Sequence, residues 1–510
     1  MDGPVFDPPV DSVNPNAINS VDNSVPSFAN SVSPPQFPFK PTFLCWKCPQ
    51  SDWITWVARM RSLHLPTWKQ AGIDNAITHS TFQFHRSDGL ILGVAEKWCS
   101  GTNTFVFPWG EATITLEDIM FLGSFSVLGE SVLSPAGDSE LEVITDKLLK
   151  ARLEFSRTRA RKASKTAWMD KFMEPESESE REIEHEAFLA YWVSQFVFPY
   201  ERDTISKASL PIAVSLAKGT KLALAPAVLA DIYRNLSALK GALVTNSEIC
   251  KIRQEKSKVV EVKVTAPFQL VQGWVWERFP SLRPKPNSIG FGEPRLSRWH
   301  GKKEVGTENV LLALDGAKED FIWRPYMRAA NDFLPQMVYK ENYYWELLKS
   351  GSSDEFEGLV RCLRPSELVS LEVGCIEQYL PHRVAMQFGM DQDLPGHVMR
   401  ENGSSEIAWR NYTRAIEDVI LYIPARLFES DVTTRYLTWW STLGISESSR
   451  RQIGLVTRLE LELMIQARLT HKVVLLGYGE AGRDMVEELE NDLKSKYLIL
   501  FKICVKNSDR

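Results

Sequence analysis

The chain has 510 residues, of which 44% are hydrophobic and 24% are charged, and these proportions exclude a protein that is disordered throughout. A formal net charge of −6 at pH 7 excludes a general attraction to nucleic acids, so any such binding requires a local basic patch. No uninterrupted apolar run approaches the roughly 18 residues that cross a bilayer, and we expect no membrane partner.

The N-terminal residues 1–42 are rich in Pro, Ser, Asn and Val and carry few charges. Such a segment buries too little apolar surface to offset its ordering entropy, which predicts a disordered N-terminal tail. Its acidic, proline-rich start is not that of a signal peptide. Seven scattered cysteines are typical of reduced thiols, so we expect an intracellular protein.

Charge patterning divides the rest of the chain. A basic run, Arg157–Lys165, and an acidic run, Glu174–Glu186, indicate a solvated linker, with a nuclear-import or nucleic-acid patch as the alternative for the basic run. The predicted order is a tail at 1–42, an N-terminal lobe at 43–133, a charged linker at 134–186, a helical C-terminal lobe at 187–445, and a helical or poorly ordered tail at 446–510.

The N-terminal lobe is predicted to contain a helix, a β-hairpin and a second helix. An apolar stripe within Asp88–Cys99 indicates the first helix, and alternating residues around Trp109 predict the hairpin. Thr115 and Asp118 have the spacing of a capping box, so the second helix should begin there. Gly123 should end that helix in the left-handed conformation.

The C-terminal lobe carries longer helical patterns. In "LAPAVLADIYRNLSALKG" the apolar residues share one face, with Pro226 in the first turn and Gly241 as the stop. A further helix lies within "PFQLVQGWVWERFP", where Trp274 and Trp276 cannot face the same way, so one of them is a candidate for contact with another lobe. We therefore expect an α-dominant, mixed α+β fold with many helices and one small β-hairpin.

The loop between residues 283 and 303 combines cations with aromatic residues, which suits phosphates and stacked bases. The same residues suit a loop that its aromatic side chains pin to the core, and we favour this second interpretation. The candidate nucleic-acid-binding residues are Arg283, Lys285, Arg295, Arg298, Trp299, Lys302 and Lys303.

The nearest approach to a metal site is a group of imidazoles and carboxylates in "YLPHRVAMQFGMDQDLPGH". The candidate ligands are His382, Asp391, Asp393 and His397. An ion pair between Arg383 and Asp391 or Asp393 would also account for these charged residues, so we expect no metal. The lone CxxC motif at Cys45 and Cys48 lacks a second pair to complete a zinc site.

A glycine turn with GxGxxG spacing follows the apolar run "HKVVLL", and its members are Gly477, Gly479 and Gly482. This pattern is typical of a dinucleotide-binding turn. However, the chain stops at Arg510 and leaves at most two strands for a site that needs a multi-stranded sheet. We therefore interpret this segment as part of a helical or poorly ordered tail that contains a glycine break. The alternative is that the glycine turn binds NAD in an enzyme. No GxSxG, HExxH, Walker A or kinase signature is present.

Six stretches follow one another along about residues 50–445 in the order of a known family. They are "TNTFVFPWGEATITLEDIMFL", "AFLAYWVSQFVFP", "GWVWERFP", "IWRPY", "YLPHRVAMQFGMDQDLP" and "YLTWW". Together they resemble the plant mobile domain family, often labelled aminotransferase-like, which includes the maintenance-of-meristems proteins. The resemblance implies a largely helical domain that is related to transposable elements and occurs in plant nuclear proteins. Members are linked to transposon silencing, gene expression and meristem maintenance, and some act with phosphatase-like proteins that carry the same domain.

This resemblance sets the functional expectation. We expect a non-enzymatic nuclear protein, with the cytoplasm as the alternative location, that acts in silencing and development through phosphatase-like or other plant mobile domain partners. The family brings no catalytic residues to carry over, and no lysine here has the setting of a pyridoxal-phosphate site, so we expect no cofactor. Direct nucleic-acid binding through the basic loop is the alternative function.

Overall fold

Helices form most of the protein, which confirms the α-dominant, mixed fold expected from the sequence. The computed structural model describes residues 40–442 except 47, 134–138, 158–161, 253–260, 291, 308, 328–337, 350–351, 372–373, 399–401 and 416–418. The helices are α1 Ser51–Ala71, α2 Asp74–His79, α3 Asp88–Glu96, α4 Leu116–Gly123, α5 Ser139–Ser156, α6 Lys165–Met173, α7 Glu178–Arg181, α8 Glu184–Trp192, α9 Ser209–Ala217, α10 Leu224–Ile252, α11 Gln269–Arg278, α12 Val310–Asp315, α13 Asp354–Leu363, α14 Ser405–Thr413 and α15 Thr434–Thr442.

Short strands form small separate sheets between the helices. They are β1 Lys40–Phe43, β2 Trp98–Cys99, β3 Thr104–Phe107, β4 Gly110–Ala112, β5 Glu261–Val264, β6 Tyr344–Leu348, β7 Ser366–Val369, β8 Ile376–Tyr379 and β9 Val419–Ile423. The order β2-β3-β4 is antiparallel and contains the predicted hairpin, with Phe105 opposite Ala112. The pairs β6-β9 and β7-β8 are antiparallel, whereas β1 and β5 run parallel.

The capping box that was predicted at the start of α4 is present. The Thr115 hydroxyl accepts the backbone N–H of Asp118, and the Asp118 carboxylate accepts the backbone N–H of Thr115 at 2.8 Å. The predicted C-cap is wrong by one residue, because Ser124 takes the left-handed conformation with φ 54°. Gly123 lies inside the helix, where a Cβ would come within 2.6 Å of the Phe125 ring.

Of two further helix predictions, one is wrong and one is confirmed. Gly241 does not end α10, which continues to Ile252, because a glycine inside a long helix costs only about 1 kcal/mol relative to alanine. Trp274 and Trp276 point in different directions from α11, yet both are fully buried in the same core. Trp274 packs 5.1 Å from the Phe105 ring of the predicted N-terminal lobe, which confirms that one of the two tryptophans contacts another lobe.

The predicted charged linker is a packed part of the domain. Helices α5, α6 and α7 lie within residues 134–186, and Leu148, Trp168 and Phe172 are completely buried. Most of their apolar side chains pack inwards and most of their charged side chains face water, although Lys165 at the start of α6 is buried. This arrangement is that of amphipathic helices within a charge-rich segment. The alternative basic patch falls partly on residues 158–161, outside the described residues.

One core joins the two predicted lobes. Trp53 of α1 stacks on Phe188 of α8 with ring centroids 5.0 Å apart and on Tyr191 at 4.9 Å. All described residues fall in one compact unit. Lys40–Phe43, the last residues of the predicted tail and the first of the lobe, form β1, while residues 1–39 and 443–510 lie outside the described residues.

Candidate functional site

The basic loop is pinned to the core at two of its candidate residues. Arg295 is 3% exposed and forms a two-point ion pair with Glu277 of α11, at 2.8 and 3.1 Å. Trp299 is fully buried and donates its indole N–H to Glu277 at 2.9 Å, and Arg298 approaches the same carboxylate at 3.5 Å. Arg295 and Trp299 therefore do not offer their polar atoms to nucleic acid, which corrects their assignment to that role.

The remaining cations of the loop stay at the surface. Lys285 and Lys303 are exposed, and Arg283 and Lys302 are half-buried. Nucleic-acid binding by these four side chains stays a prediction.

Stability measurements should separate the two kinds of residue in this loop. Arg295→Ala leaves the Glu277 carboxylate buried without its main partner, and we expect the free energy of unfolding to fall by about 2–3 kcal/mol. Lys303→Ala removes an exposed charge and should change it by less than about 0.5 kcal/mol. Urea unfolding of both variants checks this, and equal losses would contradict the pinned-loop geometry.

The His and Asp candidates for a metal site bind the protein itself. Asp391 accepts the backbone N–H of Asp431 at 3.0 Å, and Asp393 accepts the Thr433 hydroxyl at 2.7 Å. These carboxylates fasten their loop to the start of α15. Among the described residues, no group of three or more His, Cys, Asp or Glu side chains is arranged to hold a metal ion.

His382 and Arg383 of the same segment also contact other parts of the protein. The His382 ring contacts the Gly396 carbonyl at 2.8 Å, and burial together with the adjacent Arg383 lowers its pKa to about 4. His397 is exposed. Arg383 does not pair with Asp391 or Asp393 as predicted, but with buried Glu111 of β4 through two hydrogen bonds of 2.7 and 2.9 Å.

The CxxC cysteines differ in environment. Cys45 is fully buried, donates to the Ala266 carbonyl at 3.0 Å, and has a pKa that burial raises to about 12. Cys48 is exposed. A thiol with a raised pKa is a poor nucleophile and a poor metal ligand at neutral pH. Gly477, Gly479 and Gly482 lie outside the described residues, so the dinucleotide-binding hypothesis stays untested.

A buried ionic network lies beside the capped start of α4. Asp118 accepts a charge-assisted hydrogen bond of 2.6 Å from Arg278 of α11 and one of 2.7 Å from the Tyr326 hydroxyl. The next residue back, Glu117, accepts a hydrogen bond from the Tyr339 hydroxyl at 3.1 Å. Burial and the nearby Asp118 charge raise the pKa of Glu117 to about 7. The network thus combines a raised pKa at Glu117 with side chains of Asp118, Arg278 and Glu117 that are at most 3% exposed.

A small cavity of about 60 Å³ is lined mainly by aromatic side chains, including Trp46, Phe84 and Phe196. Two polar atoms at its wall, Nε2 of His79 and Nε1 of Trp192, have no hydrogen-bond partner in the protein. This volume has room for a few water molecules, which would satisfy both nitrogens.

The most unusual surface lies on the two-stranded sheet of β6 and β9. Its inner face packs into the core through Leu348, Leu421 and Ile423, which are at most 2% exposed. Antiparallel sheets with one face on the core normally place polar residues on the other face. Here the outer side is apolar instead. We call it the apolar ribbon face, and it consists of Tyr343, Trp345, Leu347, Ile420 and Tyr422.

Cross-strand pairs build the apolar ribbon face. Trp345 lies opposite Tyr422 with ring centroids 5.1 Å apart, and Leu347 lies opposite Ile420. Trp345 is 50% exposed and Ile420 is 55% exposed. Sequence reasoning did not identify this surface. The strings "YWELL" and "VILYI" signal strands, but a strand of apolar residues does not show which face meets water.

Most of the chain is similar to one known protein family. The plant mobile domain family model matches residues 72–441, which is most of the chain. The chain belongs to the plant mobile domain family. This confirms the resemblance inferred from the six motifs. No solved structure is significantly similar to the chain, and none of the described helices combines the length and apolar character that crossing a bilayer requires.

Several Arabidopsis thaliana proteins are similar to this member of the plant mobile domain family. Protein MAINTENANCE OF MERISTEMS is 27% identical over 61% of this chain and 59% of its own length. Protein MAIN-LIKE 2 is 26% identical over 61% of this chain and 43% of its own length. The "Serine/threonine-protein phosphatase 7 long form homolog" is 24% identical over 63% of this chain, but only 23% of that protein is matched. The matches thus cover less than two thirds of each relative.

The family-like motifs supply the buried ion pairs of this plant mobile domain. Asp118 lies in "TLEDIMFL", Arg278 in "GWVWERFP", Tyr326 in "IWRPY" and Arg383 in "YLPHRVAMQFG". Each of these side chains makes a buried hydrogen bond to a distant part of the chain. These motif residues are therefore explained by folding, and the exposed surface is the place to look for function.

Proposed function

We propose that this protein is a non-enzymatic nuclear protein of the plant mobile domain family, acting through protein partners in the silencing of transposons and genes and in meristem maintenance. The observation that carries the proposal is the family match together with the relative named MAINTENANCE OF MERISTEMS. That name supports a developmental role for the shared domain.

The structure supports a role in binding rather than in chemistry. The charged residues of the family-like motifs are used for buried contacts within the fold, such as the Arg278 pair with Asp118 and the Arg383 pair with Glu111. At the surface, the apolar ribbon face offers a site of the kind that protein interfaces use.

The proposed partners are phosphatase-like proteins or other plant mobile domain proteins. A protein named as a phosphatase homolog carries a segment similar to this chain, and the match covers only 23% of it. The same domain therefore occurs as one part of a longer protein. We propose that this protein and phosphatase-linked copies of the domain meet in one complex.

Affinity purification of the tagged full-length chain from plant nuclei, with and without nuclease, tests the proposal. We expect nuclear accumulation of the protein and nuclease-resistant recovery of phosphatase-like or chromatin proteins. Exclusion of the tagged protein from nuclei would overturn the nuclear role. Partners that disappear on nuclease treatment would instead favour tethering by nucleic acid through the exposed cations of the basic loop.

A further inference from the structure

The apolar ribbon face lacks the features that normally protect a short exposed sheet. Its four strand positions are Trp345, Leu347, Ile420 and Tyr422, with Tyr343 extending the surface at one end through a ring contact of 5.9 Å to Tyr422. None of these side chains carries a charge, and the five-pair register of β6 and β9 has no bulge. A contiguous exposed apolar patch of this kind is often a functional surface, such as a site of protein–protein contact.

We propose that the apolar ribbon face is a docking surface for one amphipathic helix of a protein partner. This inference rests on the proposed function, because a protein that acts through partners needs an exposed surface that binds them. The partner helix would present large aliphatic side chains at i, i+3 or i+4, and i+7, the spacing that forms one stripe on a helix.

The area of the face favours a single helix over a second copy of the chain. Tyr343 is 64% exposed, Trp345 50%, Leu347 44% and Ile420 55%. These fractions correspond to an exposed apolar area on the order of 400 Å². A stable dimer buries about 800 Å² on each partner, which the ribbon face does not reach.

The shape of the face also fits a helix. Two strands lie about 4.8 Å apart, so the paired side chains form a strip about 10 Å wide, close to the diameter of a helix with its side chains. Trp345 and Tyr422 supply rigid aromatic surface at one end, and Leu347 and Ile420 supply aliphatic surface at the other. Aromatic residues of this kind often dominate binding energy at interfaces.

Site-specific photocross-linking identifies the occupant. Tyr343 lies at the rim and is replaced by p-benzoylphenylalanine in the full-length chain, which is then irradiated in plant nuclear extract. We expect cross-links to a segment of another protein with apolar residues at helical spacing. Mixing of ¹⁴N- and ¹⁵N-labelled chains distinguishes a second copy from contacts within one chain.

A synthetic peptide of the cross-linked segment then tests the geometry by fluorescence anisotropy. We expect Trp345→Ser and Leu347→Ser to weaken its binding at least tenfold, which is about 1.4 kcal/mol. The matched control is Leu63→Ser, because Leu63 is a 62% exposed leucine that belongs to α1 and not to the ribbon face. The control should bind the peptide like the wild type, and the thermal midpoints of all three variants verify folding.

Several results would overturn this inference. They are cross-links to a second copy, cross-links to residues 1–39 or 443–510 of the same chain, cross-links to an extended segment, absence of cross-links, or equal peptide binding by Trp345→Ser. If wild type and Trp345→Ser recover the same nuclear partners, the ribbon inference fails while the proposed function stands. If the wild-type chain recovers no partner, the proposed function fails.

Discussion

Arg278→Ala is expected to lower the free energy of unfolding by about 3–5 kcal/mol, because it leaves the Asp118 carboxylate buried without its cation. Both side chains are at most 1% exposed, and they lie 2.6 Å apart. Tyr326 still donates to Asp118 in the variant, but a neutral hydroxyl does not balance a buried charge. Since natural domains are stable by about 5–15 kcal/mol, the loss is a large fraction of the total. Urea unfolding measures it.

The matched control for this loss is Arg410→Ala, because Arg410 is an exposed arginine on α14. It should change the free energy of unfolding by less than about 0.5 kcal/mol. Similar losses in Arg278→Ala and Arg410→Ala would show that the pair of Asp118 and Arg278 does not hold α4 against α11.

Lowering the pH from 6.5 towards 4 is expected to destabilise the protein through buried neutral histidines. Burial lowers the pKa of His79 to about 4, and burial with the neighbouring His64 lowers that of His185 to about 3. The His185 Nε2 atom accepts the Trp68 indole N–H at 2.9 Å, which requires an unprotonated ring nitrogen. In the unfolded chain these rings take up protons near pH 6.5. Their stabilisation is therefore complete above that pH and is lost below it, by about 3 kcal/mol for each histidine.

Glu117 acts in the opposite direction over part of the same range. Its pKa is about 7 in the folded protein, so it binds a proton there between pH 7 and 4.5, while the unfolded chain does not. Its contribution therefore stabilises the fold as the pH falls through this window. Urea unfolding from pH 7.5 to 4.5 should show a shallower acid loss in His185→Gln and a steeper one in Glu117→Gln. An unchanged slope in His185→Gln would contradict the account.

Local signals in the sequence predicted the local structure well. The capping box at Thr115 and the hairpin before it depend on neighbouring residues, and both are confirmed. The helices at 134–186 were missed because the charged residues dominate that composition, although Leu148 and Trp168 are buried there. A packed amphipathic helix and a solvated linker differ in tertiary contacts, which a charge count does not contain.

Long-range pairs could not be predicted from local spacing. Arg383 was assigned to the acids that follow it in the sequence, but it pairs with Glu111, which is 272 residues away. The basic loop was correctly favoured as pinned, yet its anchor, Glu277, was not identified. The apolar ribbon face was also missed, because the exposure of Trp345 depends on what the rest of the chain leaves uncovered.

The parallel pairing of β1 with β5 has a consequence for synthesis of the chain on the ribosome. Lys40 pairs with Glu261 and Phe43 with Val264, so the partner strand emerges about 220 residues after β1. At ~5–20 residues per second, β1 waits about 10 to 45 seconds before it finds its partner. During this interval Phe43 and the helices that follow it are outside the ribosome before β1 and β5 have paired. If synthesis stops before Glu261 and the chain is released, β1 stays permanently unpaired.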